Sequence, residues 1–80
     1  MKLPAIKKLV ETYTLEDCQK AEEALLNEQT PLIEIEGEDE GEKLTHILAA
    51  IDVLQKMQSE QKDSKLALRE FFERVRNSIS

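Results

Sequence analysis

The stretch that decides the fold is Ile33–Ala50, IEIEGEDEGEKLTHILAA, because its periodicity changes twice along its length. It begins with a two-residue alternation in which isoleucines and glutamates take turns, a pattern typical of a half-buried strand. An acidic segment follows between Gly37 and Gly41, the only two glycines of the chain, and this predicts a turn. The remainder has a helical period. The stretch therefore predicts an extended segment, a turn and the start of a long helix.

The predicted strand, at about 32–36, has no partner elsewhere in the sequence, and a strand cannot satisfy its backbone hydrogen bonds alone. Three interpretations remain open. The segment pairs with its copy in a second subunit, lies extended against the helices, or is not a strand. The first is favoured because a two-fold axis supplies an antiparallel partner without further sequence.

Within this stretch and on both sides of it, apolar residues recur at helical spacing in four segments. They predict helices over about 4–13, 15–28, 40–58 and 64–77, of which the third is the longest and most apolar and should centre the core. Capping residues support three of the helix starts: Thr14 with Asp17, Asp39, and either Asp63 or Ser64. The fold class is therefore mainly α, a four-helix single domain over 1–80 with one short extended segment.

The size of the chain favours association. Eighty residues bury a small share of their surface, so a monomeric core is marginal. The apolar surface of the third helix and the unpaired segment exceed what a small bundle can hide, so a homodimer is expected. The following residues are the interface candidates: Ile33, Ile35, Leu44, Leu48, Phe71 and Phe72.

Charge is unevenly distributed along the chain. Residues 11–42 hold twelve acidic residues against Lys20 alone, whereas the two flanks together carry ten bases and five acids. The ends and the middle should attract each other within one chain or between subunits. Ordinary solvated helix faces are the alternative interpretation.

The acidic turn has carboxylates at a spacing that suggests a calcium loop. With Gly41 at the sixth position of a calcium loop, Ile47 falls where a bidentate glutamate is required, which argues against an EF-hand. Weak divalent binding by a solvated acid cluster and a merely solubilising turn both remain open. Glu42 and His46 lie four residues apart on one helix face and are weak candidates for a metal site built across a dimer axis. A histidine on the helix surface or in a capping position is the favoured interpretation.

Other chemistry finds little support in the sequence. Cys18 is in register with apolar residues and should be a buried, inert thiol. Ser64 follows an aspartate as in a carrier-protein site, but too little chain follows it for the remaining helices. Four bases of the last helix are spread over more than one face and are mixed with acids, which argues against nucleic-acid binding. They are Lys65, Arg69, Arg74 and Arg76. No catalytic residue, cofactor or metal is predicted.

The two ends of the chain, MKLPAIKKLVE (residues 1–11) and ALREFFERVRNSI (residues 67–79), resemble the ends of a family of short bacterial proteins without an assigned function. The resemblance extends over the chain length and is strongest at the termini. It implies a complete small protein rather than a fragment, and it supplies no catalytic or ligand residues.

These observations predict a non-enzymatic protein, an adaptor or regulator that acts through a dimer surface. The alternative is a protein that binds a small ligand or a divalent metal with its 38–46 region. No apolar run approaches membrane-spanning length and no signal peptide is recognisable, so no membrane association and a cytoplasmic location are expected.

Overall fold

A computed structural model of the chain describes residues 2–79 and contains four α-helices. They are α1 (Leu3–Thr12), α2 (Leu15–Leu26), α3 (Glu40–Glu60) and α4 (Ser64–Ile79). The prediction of a mainly α fold with four helices is confirmed. None of the described helices is both long and apolar enough to cross a membrane.

The core forms around α3, which packs against each of the other three helices, while α1 also contacts α4. Ile47, Ala50 and Val53 of α3 are buried, and Ile6 of α1 and Cys18 of α2 pack into the same cluster. Aromatic side chains lie only at its edge, so shape complementarity among aliphatic groups holds the helices together.

Side-chain caps fix where three helices begin. Thr14 and Asp17 form a reciprocal capping box: the Asp17 amide donates to the Thr14 hydroxyl at 3.1 Å and the Thr14 amide to the Asp17 carboxylate at 3.2 Å. The Asp39 carboxylate accepts from the Glu42 amide at 2.7 Å at the start of α3. Asp63 accepts from the Leu66 amide at 2.8 Å, so Asp63 rather than Ser64 caps α4.

Two helices end in a left-handed residue that is not glycine. Gln61 has φ 52° after α3 and Glu28 has φ 58° after α2. Each is followed by an amide that reaches back to the helix, from Lys62 to the Met57 carbonyl at 3.1 Å and from Gln29 to the Ala24 carbonyl at 2.8 Å. These bonds satisfy carbonyl groups that a helix end would otherwise expose.

The segment between α2 and α3 (residues 27–39, the connector) corrects one prediction. Residues 32–36 form no strand, and none occurs elsewhere in the described chain. The alternation itself is present, since Ile35 is buried and Ile33 half-buried whereas Glu34 and Glu36 are exposed. Helices of the same chain cover the isoleucine face, and the Glu36 carbonyl accepts a hydrogen bond from the His46 ring instead of from a neighbouring strand.

Gly37 is the point at which the connector touches α3. A Cβ atom there would lie 2.9 Å from the backbone nitrogen of Lys43 and 2.8 Å from its Cγ. Only a residue without a side chain allows this approach.

Candidate functional site

His46 lies inside the protein, not on the helix surface that the sequence interpretation favoured. Its side chain is fully buried on α3, and both ring nitrogens face backbone groups. The Lys2 amide donates to Nε2 at 2.9 Å, so the ring proton is on Nδ1, which donates to the Glu36 carbonyl at 2.7 Å. The neutral imidazole thus joins the start of the chain and the connector to α3.

This arrangement leaves His46 without a free lone pair for a metal, because Nε2 already accepts the Lys2 N–H group. Glu42, one turn earlier on α3, has one buried carboxylate oxygen that no hydrogen-bond donor of the described residues contacts. Among residues 2–79, no group of three histidine, cysteine or acidic side chains is arranged to hold a metal ion. A metal at this pair would have to break the hydrogen bond from Lys2.

Cys18 occupies the core, where its side chain is fully buried. Burial, and secondly the negative charge of Asp17, raise the pKa of the Cys18 thiol to about 11. The thiolate is the nucleophilic form. The folded protein therefore holds Cys18 as an unreactive thiol.

The six interface candidates do not form one exposed surface. Leu48 is the most open of them, with 47% of its surface exposed, whereas Ile35 is buried and Ile33 packs on the core. Phe71 and Phe72 also pack against the core and meet edge to face at 6.0 Å. The isoleucines predicted to form a dimer seam are thus used within the chain.

A groove of about 530 Å³ lies between α1 and α4. Its floor is apolar, made by buried Leu68 and half-buried Phe72 of α4. Exposed charged side chains from both helices surround that floor. They are Lys7 and Glu11 of α1 and Lys65, Arg69, Glu73 and Arg76 of α4.

The four cations of this groove are unpaired. Within the described residues, no carboxylate forms a salt bridge with any of them, whereas Arg74 and Lys62 both have acidic partners. Arg74 contacts Asp52 at 2.9 Å and lies over the Phe71 ring. Lys62 contacts Glu60 at 2.7 Å. With four cations and two carboxylates, the groove therefore presents a net positive charge beside an apolar floor.

Sequence reasoning missed this groove because it treated the four bases of the last helix together. Successive helix residues are about 100° apart, so Lys65, Arg69 and Arg76 project within about 40° of one another. Arg74 lies about 180° from Lys65 around the helix axis and therefore on the opposite face of α4. The spacing of the other three is the signal that could have revealed the face.

Fold and site together define a small four-helix protein with a basic, apolar-floored surface groove and a histidine committed to backbone hydrogen bonds. The chain belongs to a family of unknown function, DUF6952, whose model matches residues 1–80. The resemblance seen at the termini, to a family without an assigned function, is thereby confirmed. No curated protein and no solved structure matches the chain.

Proposed function

We propose that this protein is a non-enzymatic interaction protein that binds an acidic, leucine-bearing protein segment in the groove between α1 and α4. The observation that carries the proposal is the set of four unpaired cations around Leu68 and Phe72. Apolar side chains anchor a partner in a pocket, and charges at the rim steer and orient it.

The groove suits an acidic peptide better than a nucleic acid. Glu11 and Glu73 lie among the cations and would repel a continuous run of phosphates. The chain as a whole carries a net charge of −6, which opposes the approach of a polyanion. A peptide can place its acids beside the cations and its leucine on the floor.

His46 and Cys18 are the two side chains best suited to catalysis, and the environment of each supports a binding role instead. Both nitrogens of His46 are engaged by backbone groups, so the ring is not positioned to exchange a proton with a substrate. Cys18 is buried and held as a thiol. Neither side chain lines the groove.

The test is fluorescence anisotropy with a labelled synthetic peptide of glutamate and leucine residues. Wild-type protein should bind it, and Arg69→Glu should weaken binding by at least about tenfold, since charge reversal replaces an attraction with a repulsion. Lys56→Glu makes the same charge change outside the groove and should bind as wild type does. Circular dichroism should show unchanged helix content in both variants.

Two results would refute the proposal. One is that Arg69→Glu and Lys56→Glu bind the peptide equally well, which would remove the groove from the interaction. The other is that a labelled DNA duplex binds the wild type more tightly than the peptide does and loses affinity in Arg69→Glu, which would make the groove a nucleic-acid site.

A further inference from the structure

We infer that the segment bound by the groove is the connector of a second copy of this chain, with Leu32 on the floor formed by Leu68 and Phe72. The inference rests on the proposed function above and names its partner. It makes the protein a head-to-tail self-associating module rather than a dimer joined by paired strands.

Leu32 is the first reason. Its side chain is 98% exposed, the highest value among the exposed large hydrophobic residues of the described chain. Its neighbours Pro31 and Ile33 are partly covered, so the leucine projects alone from the surface. An apolar side chain of this size gains free energy when a partner covers it.

Charge complementarity is the second reason. The connector and the first turn of α3 place exposed carboxylates at Glu34, Glu38 and Glu40, and none forms a salt bridge with a cation of the described chain. The groove holds unpaired cations of the opposite sign. One protein thus carries both an acidic segment with an exposed leucine and a basic groove with an apolar floor.

The connector cannot fill the groove of its own chain without unfolding locally. Ile35 is buried in the core and the Glu36 carbonyl accepts a hydrogen bond from His46, so the segment is fixed to the core between Glu34 and Glu38. The groove is built from α1 and α4 instead. Two different surfaces meeting between copies make a heterologous contact, which generates chains or closed rings.

The test is sedimentation velocity on the full chain over a concentration series, with two variants alone and mixed. Wild type should form dimers and larger species, and raised salt should dissociate them. Leu32→Glu removes the inserted leucine, and Arg69→Glu disables the groove, so each variant alone should be monomeric.

The mixture of the two variants is decisive. Leu32→Glu retains an intact groove and Arg69→Glu retains an intact Leu32, so the pair can join once and no further. An equimolar mixture should therefore give a heterodimer and nothing larger. Leu26→Glu, at a leucine that is 63% exposed but lies outside both surfaces, is the matched control and should self-associate as wild type does.

A wild-type chain that remains monomeric up to roughly 1 mM, the weak end of measured affinities, overturns the inference. So does a mixture that stays monomeric, which would point to a symmetric contact or none. If the glutamate–leucine peptide still binds the groove in either case, the proposed function stands and only the partner is wrong. If the peptide also fails to bind, both are refuted.

Discussion

Replacing His46 with leucine removes two hydrogen bonds from the interior while nearly conserving the volume of the side chain. The imidazole accepts from the Lys2 amide at 2.9 Å and donates to the Glu36 carbonyl at 2.7 Å. Leucine can do neither, so the substitution isolates the polar role of this residue from its packing.

The expected loss follows from the two bonds. A protein hydrogen bond contributes about 1 kcal/mol net, and a buried group left without a partner costs about 1–3 kcal/mol. Both bonds are part-buried, so water can reach the freed groups in part. We expect His46→Leu to lower the free energy of unfolding by about 2–4 kcal/mol, a large share of the roughly 4–12 kcal/mol typical of a chain this size.

The assay is urea unfolding followed by far-UV circular dichroism, with two partial replacements beside the leucine variant. His46→Asn keeps a donor near the Nδ1 position, and His46→Gln places an acceptor near the Nε2 position. Each should recover part of the loss. In an NMR spectrum, only the glutamine variant should keep the wild-type shift of the Lys2 amide.

Two observations would refute this reasoning. If His46→Leu unfolds within about 0.5 kcal/mol of wild type, the usual range of neutral surface changes, the two bonds contribute nothing to stability. If ¹⁵N spectra of the folded protein place the ring proton on Nε2, the ring cannot accept from Lys2 and the assignment of donor and acceptor is wrong.

Three further predictions follow from local geometry. Gly37→Ala should destabilise the fold by about 1–3 kcal/mol through overpacking. Gly41 lies in α3, and a Cβ atom added there would be 3.4 Å from its nearest atom, Asp39 Oδ1, so Gly41→Ala should stabilise the fold by up to about 1 kcal/mol. Thermal unfolding measures both changes. Cys18, with its pKa raised to about 11, should react with iodoacetamide at neutral pH only as fast as the protein unfolds, and rapidly in urea. Lys62 lowers the pKa of Glu60 by hydrogen bonding and charge, and Glu60 raises the pKa of Lys62 in return. The difference in stability between Lys62→Gln and wild type should therefore decline as the pH falls from about 4.5 through the lowered pKa of Glu60, and again as the pH rises through the raised pKa of the lysine.

Each of these has a result that contradicts it. Equal stability of the two alanine variants would mean that the connector moves aside at Gly37 at no cost. Rapid alkylation of folded protein would mean that Cys18 is accessible. A stability difference between Lys62→Gln and wild type that is constant from acid to alkaline pH would mean that the lysine contributes through packing and not through its charge.

The helices could be predicted because their signals are local. Thr14 and Asp17 form the capping box that their spacing indicates, and Asp39 caps α3 as expected. Such bonds join residues three apart and need no tertiary information. The end of α3 was harder to predict from sequence, because Gln61 adopts a left-handed conformation that sequence patterns assign to glycine or asparagine.

His46 shows where local reasoning fails. A burial signal was present, because His46, Ala50, Val53 and Met57 share a helical stripe that packs into the core. The reason a polar ring can occupy that stripe lies elsewhere. Its partners, the Lys2 amide and the Glu36 carbonyl, are backbone groups 44 and 10 residues away in segments without helical periodicity. Only the tertiary fold brings them together.

The alternation at 32–36 misled for a related reason. A period of two indicates that one side of a segment is covered, and it is: Ile35 is buried while Glu34 and Glu36 are exposed. The alternation does not indicate which element covers that side of the segment. A helix face serves as well as a neighbouring strand, provided that the backbone finds other partners, as the Glu36 carbonyl does in His46.

The role of the uneven charge in the sequence depends on which charged side chains the described fold leaves without a salt bridge. Between the acidic middle and the basic flanks, the described residues form one salt bridge, from Lys8 to Glu36 at 3.8 Å, with both side chains at least half exposed. Such a contact contributes about 0–1 kcal/mol. The remaining attraction is not satisfied within the chain, because the helices hold the basic groove and the acidic connector on different elements. A second copy can bring the two surfaces together without refolding either one, which is why we propose that the charge asymmetry serves association and not the stability of the monomer.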